Sequence, residues 1–426
     1  MAKRKLWSYE NTVVILFFLA IGFVWFDRNA INFLIPFMQK DFNLTNTQIG
    51  MLASALAITW ALSGISVGLI SSKVKNKKII IVIAIFLFTI ISAMHGAAST
   101  FISLFFLRLL MGLVEGPLVP VASAIVTMES SEKRRGFNLG LVTGTSNGLF
   151  GNFLAPLIIV ALANLFDWQK TFYMTIIPGI IIGVLVWLSI RNPELKEEAS
   201  VVSKEKVSLK GVMRNRNFWL CVLAASCAIT FVTSFSIFTP LYLINVTQLS
   251  PSTMSIIMAA FGGGFALFSF VVPAISDRIG RKPTIAIFGL LPAFIPLSIM
   301  ILDNVAVLIP LVFLLSIGSG VLTMMISVLP IESVPIKYAA FASGFAIAAG
   351  EIIGGVMSPT VTGMAVDAWG LNAALYICAG AAFLFWFFAM FLRETAPVKL
   401  RANKANEPAL NVDEPTSNAD YSKKIS

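Results

Sequence analysis

The sequence predicts an all-α membrane protein with twelve transmembrane helices in two six-helix bundles around a central cavity. Three observations predict this class. The 426 residues are 57% hydrophobic and 12% charged, whereas a soluble globular protein is about one quarter charged. A helix needs about 20 apolar residues to cross a bilayer, and the chain offers twelve such stretches, joined mostly by short loops. An internal repeat divides these stretches into two sets of six.

The predicted spans occupy most of the chain and leave little room for a soluble domain. The first apolar stretch follows AKRK, as in a signal peptide, but no small-residue cleavage site follows it, so we assign it as the first span. We place the spans at 11–37, 46–71, 78–97, 100–127, 137–163, 170–190, 217–244, 252–275, 284–302, 305–328, 339–364 and 371–392.

The three cysteines give no sign of a disulfide framework or a metal site. Cys221, Cys227 and Cys378 all fall inside apolar stretches, and their number is odd. We therefore expect them to be packing residues.

The basic residues predict the orientation of the chain. With the N-terminus inside, 27 of the 31 Lys and Arg residues fall on cytoplasmic segments, two (Lys40 and Lys170) fall outside, and two (Arg28 and Arg108) fall within spans. Short cytoplasmic loops carry an excess of Lys and Arg, so both termini are expected in the cytoplasm, with the protein in the cell membrane. The net charge of +10 then reflects topology and not nucleic-acid binding.

Two pairs of similar sequence segments indicate an internal repeat. GLISSKVKNKK, from Gly68, recurs as PAISDRIGRKP, from Pro273, at an offset of 205 residues, and Glu129 recurs as Glu332 at an offset of 203. The repeated segments predict two bundles, 1–190 and 217–393, joined by a basic cytoplasmic linker at 191–216. A polar, disordered cytoplasmic tail is predicted at 394–426. Parallel repeats of this kind place a binding site between the halves near the membrane midplane.

The loop DRIGRK, residues 277–282, resembles the cytoplasmic loop signature of the major facilitator superfamily, whose fold is twelve helices in two bundles. The first-half copy departs from that signature, with Ser72 in place of Asp and Asn76 in place of Arg. The resemblance implies a gating loop that contains Asp277, Arg278, Gly280 and Arg281.

Four ionisable residues lie within the first-half spans: Asp27, Arg28, Arg108 and Glu115. At bilayer depth such a residue costs a few kcal/mol or more, so it normally faces a partner or a wet cavity. Arg108 and Glu115 are seven residues apart and share one face of span four. A rise of about 1.5 Å per residue puts Arg28 and Arg108 at similar depths, roughly 12–13 Å below the outer surface.

Two guanidinium groups at one depth repel each other unless an anion lies beside them. Arginine holds a carboxylate through two parallel hydrogen bonds, so the pair predicts an organic anion as substrate. Asp27 and Glu115 are then candidates for proton coupling, because an anion that occupies the arginine promotes proton uptake by a nearby carboxylate. Two structural interpretations stay open: Asp27 with Arg28 as a helix-packing pair, and Arg108 with Glu115 in a salt-bridge network.

FDRNAINFLIP in span one and RLLMGLVEGPLVP in span four closely resemble the anion:cation symporter group, which includes bacterial proton-coupled carriers of hexuronates and galactonate. The resemblance covers most of the first half, and the second half only as fold. It implies carboxylate binding by Arg28 and Arg108, proton coupling by Asp27 and Glu115, and proton-driven import of a sugar acid or related carboxylate without a cofactor.

Other polar and aromatic residues in the spans allow two interpretations each. Asn147 is expected either to bind a substrate hydroxyl or to join two helices by a hydrogen bond. Trp25 and Trp60 are expected either to line the site or to contribute only to helix packing. Glu351 departs from the family pattern, and we consider it as a second proton site, a selectivity group, or a partner of Thr323 or Ser327.

Two further features complete the predictions within the spans. Pro240 is expected to break span seven, which would help gating. His95 lies at the outer end of span three and is interpreted as an interfacial residue.

Composition excludes a soluble enzyme, and the chain has no P-loop, so an ion gradient is a better energy source than ATP. An alternative function is a proton-coupled antiporter that exports a metabolite or drug. Such exporters usually carry a motif resembling G-P-x-x-G-G on span five, and FGNFLAPL does not reproduce it. We expect a monomer whose partners are a small organic anion, protons and the lipid bilayer, with no nucleic acid and no metal.

Overall fold

The computed structural model describes residues 8–70, 76–192, 210–335, 338–396 and Lys399. These residues form helices and no strand. Twelve helices are long and apolar enough to cross a membrane, which confirms the predicted fold class. They are α1 (Tyr9–Phe42), α2 (Asn46–Ser66, continuing as helix to Ile70), α3 (Lys77–His95), α4 (Phe101–Glu129), α5 (Arg135–Leu165), α6 (Trp168–Ser189), α7 (Arg216–Asn245), α8 (Pro251–Ile279), α9 (Arg281–Ile301), α10 (Val305–Ile326), α11 (Phe341–Trp369) and α12 (Asn372–Met390).

Several of these helices change their hydrogen-bonding pattern within the membrane, where every backbone polar group must be satisfied by the protein itself. α4 turns between Glu115 and Leu118. The other irregular segments are π-helical in α5 (Leu141–Thr145 and Asn147–Leu154) and α11 (Glu351–Met357), and 3₁₀-helical in α9 (Leu291–Ala293) and α10 (Ser316–Gly318). π-Helical turns are frequent at functional sites.

The predicted break at Pro240 was wrong. α7 is continuous from Arg216 to Asn245, with Pro240 fully buried inside the helix. Residues 234–243 around this proline are all buried, and packing by neighbouring helices lets a membrane helix tolerate a missing backbone donor.

Helices α1 to α6 form the first half of the molecule and α7 to α12 the second. The halves meet mainly where α2 packs on α11, α5 on α8, and α1 on α7. We call the side of the membrane where α1 begins and α12 ends the terminal side, and the opposite side the far side.

The far side is closed by contacts between the halves. Asp367, near the end of α11, accepts four hydrogen bonds from the N-terminus of α2: from the backbone N–H and amide of Asn46 at 2.9 and 2.8 Å, and from the backbone N–H and hydroxyl of Thr47 at 2.8 and 2.6 Å. Deeper in the same interface, the Ser54 hydroxyl bonds to Thr360 at 2.8 Å.

Towards the terminal side, three glycines of α5 and α11 have open space beside them within the described structure. A methyl group added at Gly140 or Gly144 of α5, or at Gly344 of α11, would meet nothing within 4 Å. Further along α5, by contrast, Gly148 packs directly against Ala266 of α8. Among the described residues, α5 is therefore in close contact with α8 at Gly148 and has open space beside it nearer the terminal side.

The loop between α8 and α9 forms a compact network. Gly280 has a φ of +107°, a conformation that favours glycine. Arg281 pairs with Asp277 at 2.6 Å and with Glu332 at 2.7 Å, while Arg278 is exposed. In the first half, Asn76 accepts a hydrogen bond from the backbone of Ile79 and caps α3, and Ser72 lies outside the described residues.

The predicted tail begins with residues that bind this loop. The Glu394 carboxylate accepts hydrogen bonds from the backbone N–H groups of Arg281 at 2.9 Å and Lys282 at 3.1 Å. Burial raises the pKa of Glu394, but backbone donors, including those of Thr395 and Ala396, outweigh burial and bring it below its ordinary value. Most of the predicted 191–216 linker and 394–426 tail lies outside the described residues.

His95 is not an interfacial residue, contrary to the prediction. Its side chain is fully buried, its ring stacks on Phe172 at 5.4 Å between centroids, and its Nδ1 lies 2.9 Å from the carbonyl of Ile91. A helix end turned into the bundle is not distinguishable by hydropathy from one that faces the lipid headgroups.

Candidate functional site

A cavity of about 420 Å³ lies between the two halves. Side chains of both halves line it, including those of α1, α2, α4 and α5 on one wall and of α7, α8, α10 and α11 on the other. All five residues predicted to bind substrate contribute to the lining: Trp25, Arg28, Trp60, Arg108 and Asn147.

Arg28 presents a positive charge to the cavity between two aromatic rings. Its guanidinium carbon lies 5.0 Å from the ring centre of Trp25 and 5.2 Å from that of Trp60. Within the described part of the chain, the guanidinium forms no ion pair or hydrogen bond. The charge is held in place by the rings and is available to an anion.

Arg108 lies behind Arg28 and is 1% exposed. Its Nη1 donates to the backbone carbonyl of Arg28 at 3.4 Å, so the two arginines are neighbours. The Nε and Nη2 atoms of Arg108 have no hydrogen-bond partner among the described residues. A buried donor without a partner is costly, and an oxygen-bearing ligand would remove that cost.

Asp27 points away from the cavity into the interior of the first half. Its side chain is fully buried, and its Oδ1 accepts a hydrogen bond from the Ser92 hydroxyl at 2.6 Å. The Ser92 hydroxyl also lies 3.0 Å from that of Thr175, so α1, α3 and α6 meet at this carboxylate. The backbone of α1 thus sends Arg28 into the cavity and Asp27 into the bundle, since adjacent helical residues diverge by about 100°.

Glu115 is also fully buried and does not line the cavity. Neither of its carboxylate oxygens has a hydrogen-bond partner among the described residues. The Asp27–Arg28 and Arg108–Glu115 ion pairs that the sequence left open are both absent from this part of the chain. Two carboxylates therefore lie near the arginines without being neutralised by direct contact.

A set of amide side chains completes the first-half wall. Asn152 donates to Oδ1 of Asn147 at 3.1 Å, and Asn29 donates to the carbonyl of Gly151 at 3.0 Å. Asn29 and Asn152 both line the cavity and were missed in the sequence. The sequence signal that could have identified them is their position close to Arg28 and Asn147 along the chain, in two polar segments of otherwise apolar spans.

Glu351 lines the cavity from the second half. No hydrogen bond joins it to Thr323 in the described structure, and the Thr323 hydroxyl donates to the carbonyl of Ser319 at 3.2 Å. The side chain of Ser327, the other predicted partner, lies outside the described residues. The carboxylate makes no hydrogen bond or ion pair with any residue that the structure describes.

Comparisons with known proteins agree with this architecture. A model of the Major Facilitator Superfamily matches residues 17–352 and 245–419. A probable 4-methylmuconolactone transporter of Cupriavidus pinatubonensis is 27% identical over 92% of this chain and 93% of its own length. The hexuronate transporter of Bacillus subtilis is 26% identical over 92% of this chain and 96% of its own length.

A solved structure shows the same fold. A bacterial homologue of the human lysosomal transporter Spinster, in an inward-facing and unoccupied conformation, matches with a TM-score of 0.75 and 18% identity. The match covers 90% of this chain and 97% of that one. The family model spans both repeated halves and includes the DRIGRK loop, and by this evidence the chain belongs to the major facilitator superfamily.

Proposed function

We propose that the protein imports a small organic anion, a sugar acid or related carboxylate, together with protons, by alternating access. The observation that carries this proposal is the guanidinium of Arg28, which has no ion-pair partner among the described residues and lies between two indole rings at the wall of the central cavity. Nε and Nη2 of Arg108, which find no acceptor in the described part of the chain, add donors at the same place. A carboxylate would accept hydrogen bonds from these groups and neutralise charge that the protein leaves uncompensated.

Asp27 and Glu115 are the proposed proton-coupling groups. Both lie in the first half near the arginines, and neither is paired with a cation within the described structure. When an anion occupies the arginines, their positive field no longer holds the two carboxylates in the charged form, so proton and anion binding favour each other. Glu351 remains a third candidate, since its carboxylate faces the cavity itself.

Similarity to a sugar-acid transporter supports the proposed substrate class. The hexuronate transporter bears the name of a sugar-acid substrate and matches along nearly the whole chain. A polyhydroxylated acid would find donors and acceptors on the cavity wall at Asn29, Asn147 and Asn152.

In this proposal the terminal side faces the cytoplasm and the protein lies in the cell membrane as a monomer. The closed far side and the open space towards the terminal side then correspond to a cytoplasm-facing state. Import requires a second state, reached by rigid-body rotation of one half against the other, in which the far-side contacts separate and the terminal side closes.

The test is transport by the purified protein in proteoliposomes. Uptake of labelled galactonate, glucuronate, gluconate, lactate and dicarboxylates is measured with and without an inward proton gradient. We expect a gradient to drive accumulation of at least one sugar acid. Arg108→Ala should lower uptake at least about 30-fold, since a hydrogen bond to a charged group contributes about 1.5–3 kcal/mol and several are lost.

Glu115→Gln separates binding from coupling. It should retain exchange of labelled for unlabelled substrate across the membrane but lose accumulation driven by the gradient. Lys40→Gln, which removes a charge outside the cavity, is the matched control and should behave like the wild type. Accumulation that survives Glu115→Gln would remove this residue from the coupling scheme, and a wild-type protein that moves no carboxylate would contradict the proposed function.

A further inference from the structure

The two walls of the cavity carry opposite charges. Arg28 and Arg108 lie on the first-half wall, and Glu351 lies on the second-half wall. Glu351 is half-buried, and its carboxylate has no partner among the described residues. Arg28 is close enough for its charge to act on Glu351, but the carboxylate has no contact partner in the described structure and faces the cavity, where it can act on a ligand.

The repeat shows what is unusual about this position. Glu351 follows Asn147 at an offset of 204 residues, and Gly355 follows Gly151 at the same offset. Asn147 and Glu351 each begin a π-helical segment, in α5 and in α11. In each helix the side chain lies over the glycine four residues later, where an added methyl group would crowd it.

The equivalent positions therefore hold a neutral amide in one half and a carboxylate in the other. Asn147 is satisfied within its own half by Asn152. Glu351 has no such neighbour in the described structure, and its oxygens can only accept hydrogen bonds when the group is ionised. A ligand with hydroxyl donors at the end distant from its carboxylate would bind both walls.

We propose that Glu351 selects substrates by charge, so that the cavity accepts hydroxylated monocarboxylates and disfavours dicarboxylates. This inference rests on the proposed function and narrows its substrate class. A substrate whose first carboxylate binds the arginines would bring a second carboxylate towards Glu351. Like charges repel strongly in a site of low dielectric, and a specificity device of this kind acts by penalising the wrong ligand.

The test compares two acids that differ at one end. Gluconate and glucarate have the same six-carbon chain, and glucarate replaces the terminal CH₂OH with a second carboxylate. Binding to the full-length protein in detergent is measured by calorimetry at neutral pH, where both acids are ionised. We expect the wild type to bind gluconate at least about tenfold more tightly than glucarate.

Glu351→Gln removes the charge and keeps the shape of the side chain. We expect it to tighten glucarate binding and reduce the preference about tenfold. Glu351→Asp keeps the charge and should keep the preference. Asp303→Asn, which removes a negative charge from an exposed residue outside the cavity lining, is the matched control and should leave the ratio as in the wild type.

The outcomes separate this inference from the function on which it rests. If the wild type binds gluconate and glucarate equally, or if Glu351→Gln leaves their ratio unchanged, the selectivity role is wrong while carboxylate transport stands. Loss of gradient-driven gluconate accumulation in Glu351→Gln, with an unchanged ratio, would assign the residue to proton coupling instead. A wild type that binds no monocarboxylate would contradict both.

Discussion

The guanidinium of Arg28 keeps its place in the cavity through two indole rings and not through an ion pair. The rings of Trp25 and Trp60 lie within about 5 Å of its charge and screen it from solvent without neutralising it. An anionic ligand therefore meets a cation that is partly exposed and already positioned, so binding requires less ordering of the arginine side chain.

Replacement of Trp60 tests this arrangement at a single residue. Trp60→Leu keeps the apolar surface but removes the aromatic face, and a cation–π contact contributes about 0.5–2 kcal/mol. We expect the affinity for the transported acid to fall about 3- to 30-fold by calorimetry. Trp60→Phe keeps a ring and should recover part of the loss. Equal affinities in the wild type and Trp60→Leu would show that the ring does not position Arg28.

Charged residues near the site were easier to identify from the sequence than the hydroxyl residues around them. Arg28 and Arg108 were identifiable because a guanidinium is rare at bilayer depth and demands an explanation. Ser92 and Thr175, which surround Asp27, gave no signal, since hydroxyl side chains are common in membrane helices and usually bond to their own backbone. The structure was also needed to show where the Asp27 side chain points, because the sequence shows only that Asp27 and Arg28 point in different directions.

At the scale of whole helices, hydropathy located the twelve spans but not their internal irregularities. The π-helical segments of α5 and α11 look like ordinary apolar helix in the sequence, because an extra residue within a turn leaves composition unchanged. These segments place Asn147 and Glu351 at the cavity. The wrong prediction at Pro240 has a related cause, since tertiary packing decides whether a proline ends a membrane helix.

The contact between α11 and α2 gives a prediction for the far side. Asp367 joins the halves through four hydrogen bonds and places a negative charge at the positive end of the α2 dipole. Asp367→Asn weakens both effects. We therefore expect the far-side-open state to become about 3- to 10-fold more populated, in line with the loss of roughly 1 kcal/mol from hydrogen bonds to a charged group at an exposed site.

This shift can be measured by labelling of a cysteine at Ala53, a cavity-lining position, in a background without Cys221, Cys227 and Cys378. An impermeant maleimide applied from the far side should react faster in Asp367→Asn. Asp41→Asn is the matched control, because Asp41 accepts its hydrogen bond from Trp168 within the first half. Equal labelling rates in Asp367→Asn and the control would show that the contact does not hold the far side closed.

At the scale of the whole molecule, the internal repeat relates the two halves, and the distribution of Lys and Arg residues predicts their orientation in the membrane. The sequence predicted two six-helix bundles with a site between them, because the repeated loops divide the chain evenly and each half is apolar enough to form its own bundle. It did not predict which side would be closed, since both conformations use the same spans and differ only in contacts between the halves.

The orientation of the molecule in the membrane decides the direction of the proposed transport and can be tested directly. Lys40 and Lys170 are the two basic residues predicted on the far side, against 27 on the terminal side. The positive-inside rule then places the terminal side in the cytoplasm. Alkaline phosphatase, which is active only outside the cytoplasm, should be inactive when fused after Ala396 and active when fused after Asn304, in the loop between α9 and α10. The reverse pattern would place the open cavity outside the cell, and the same structure would then represent a state that receives substrate from the exterior.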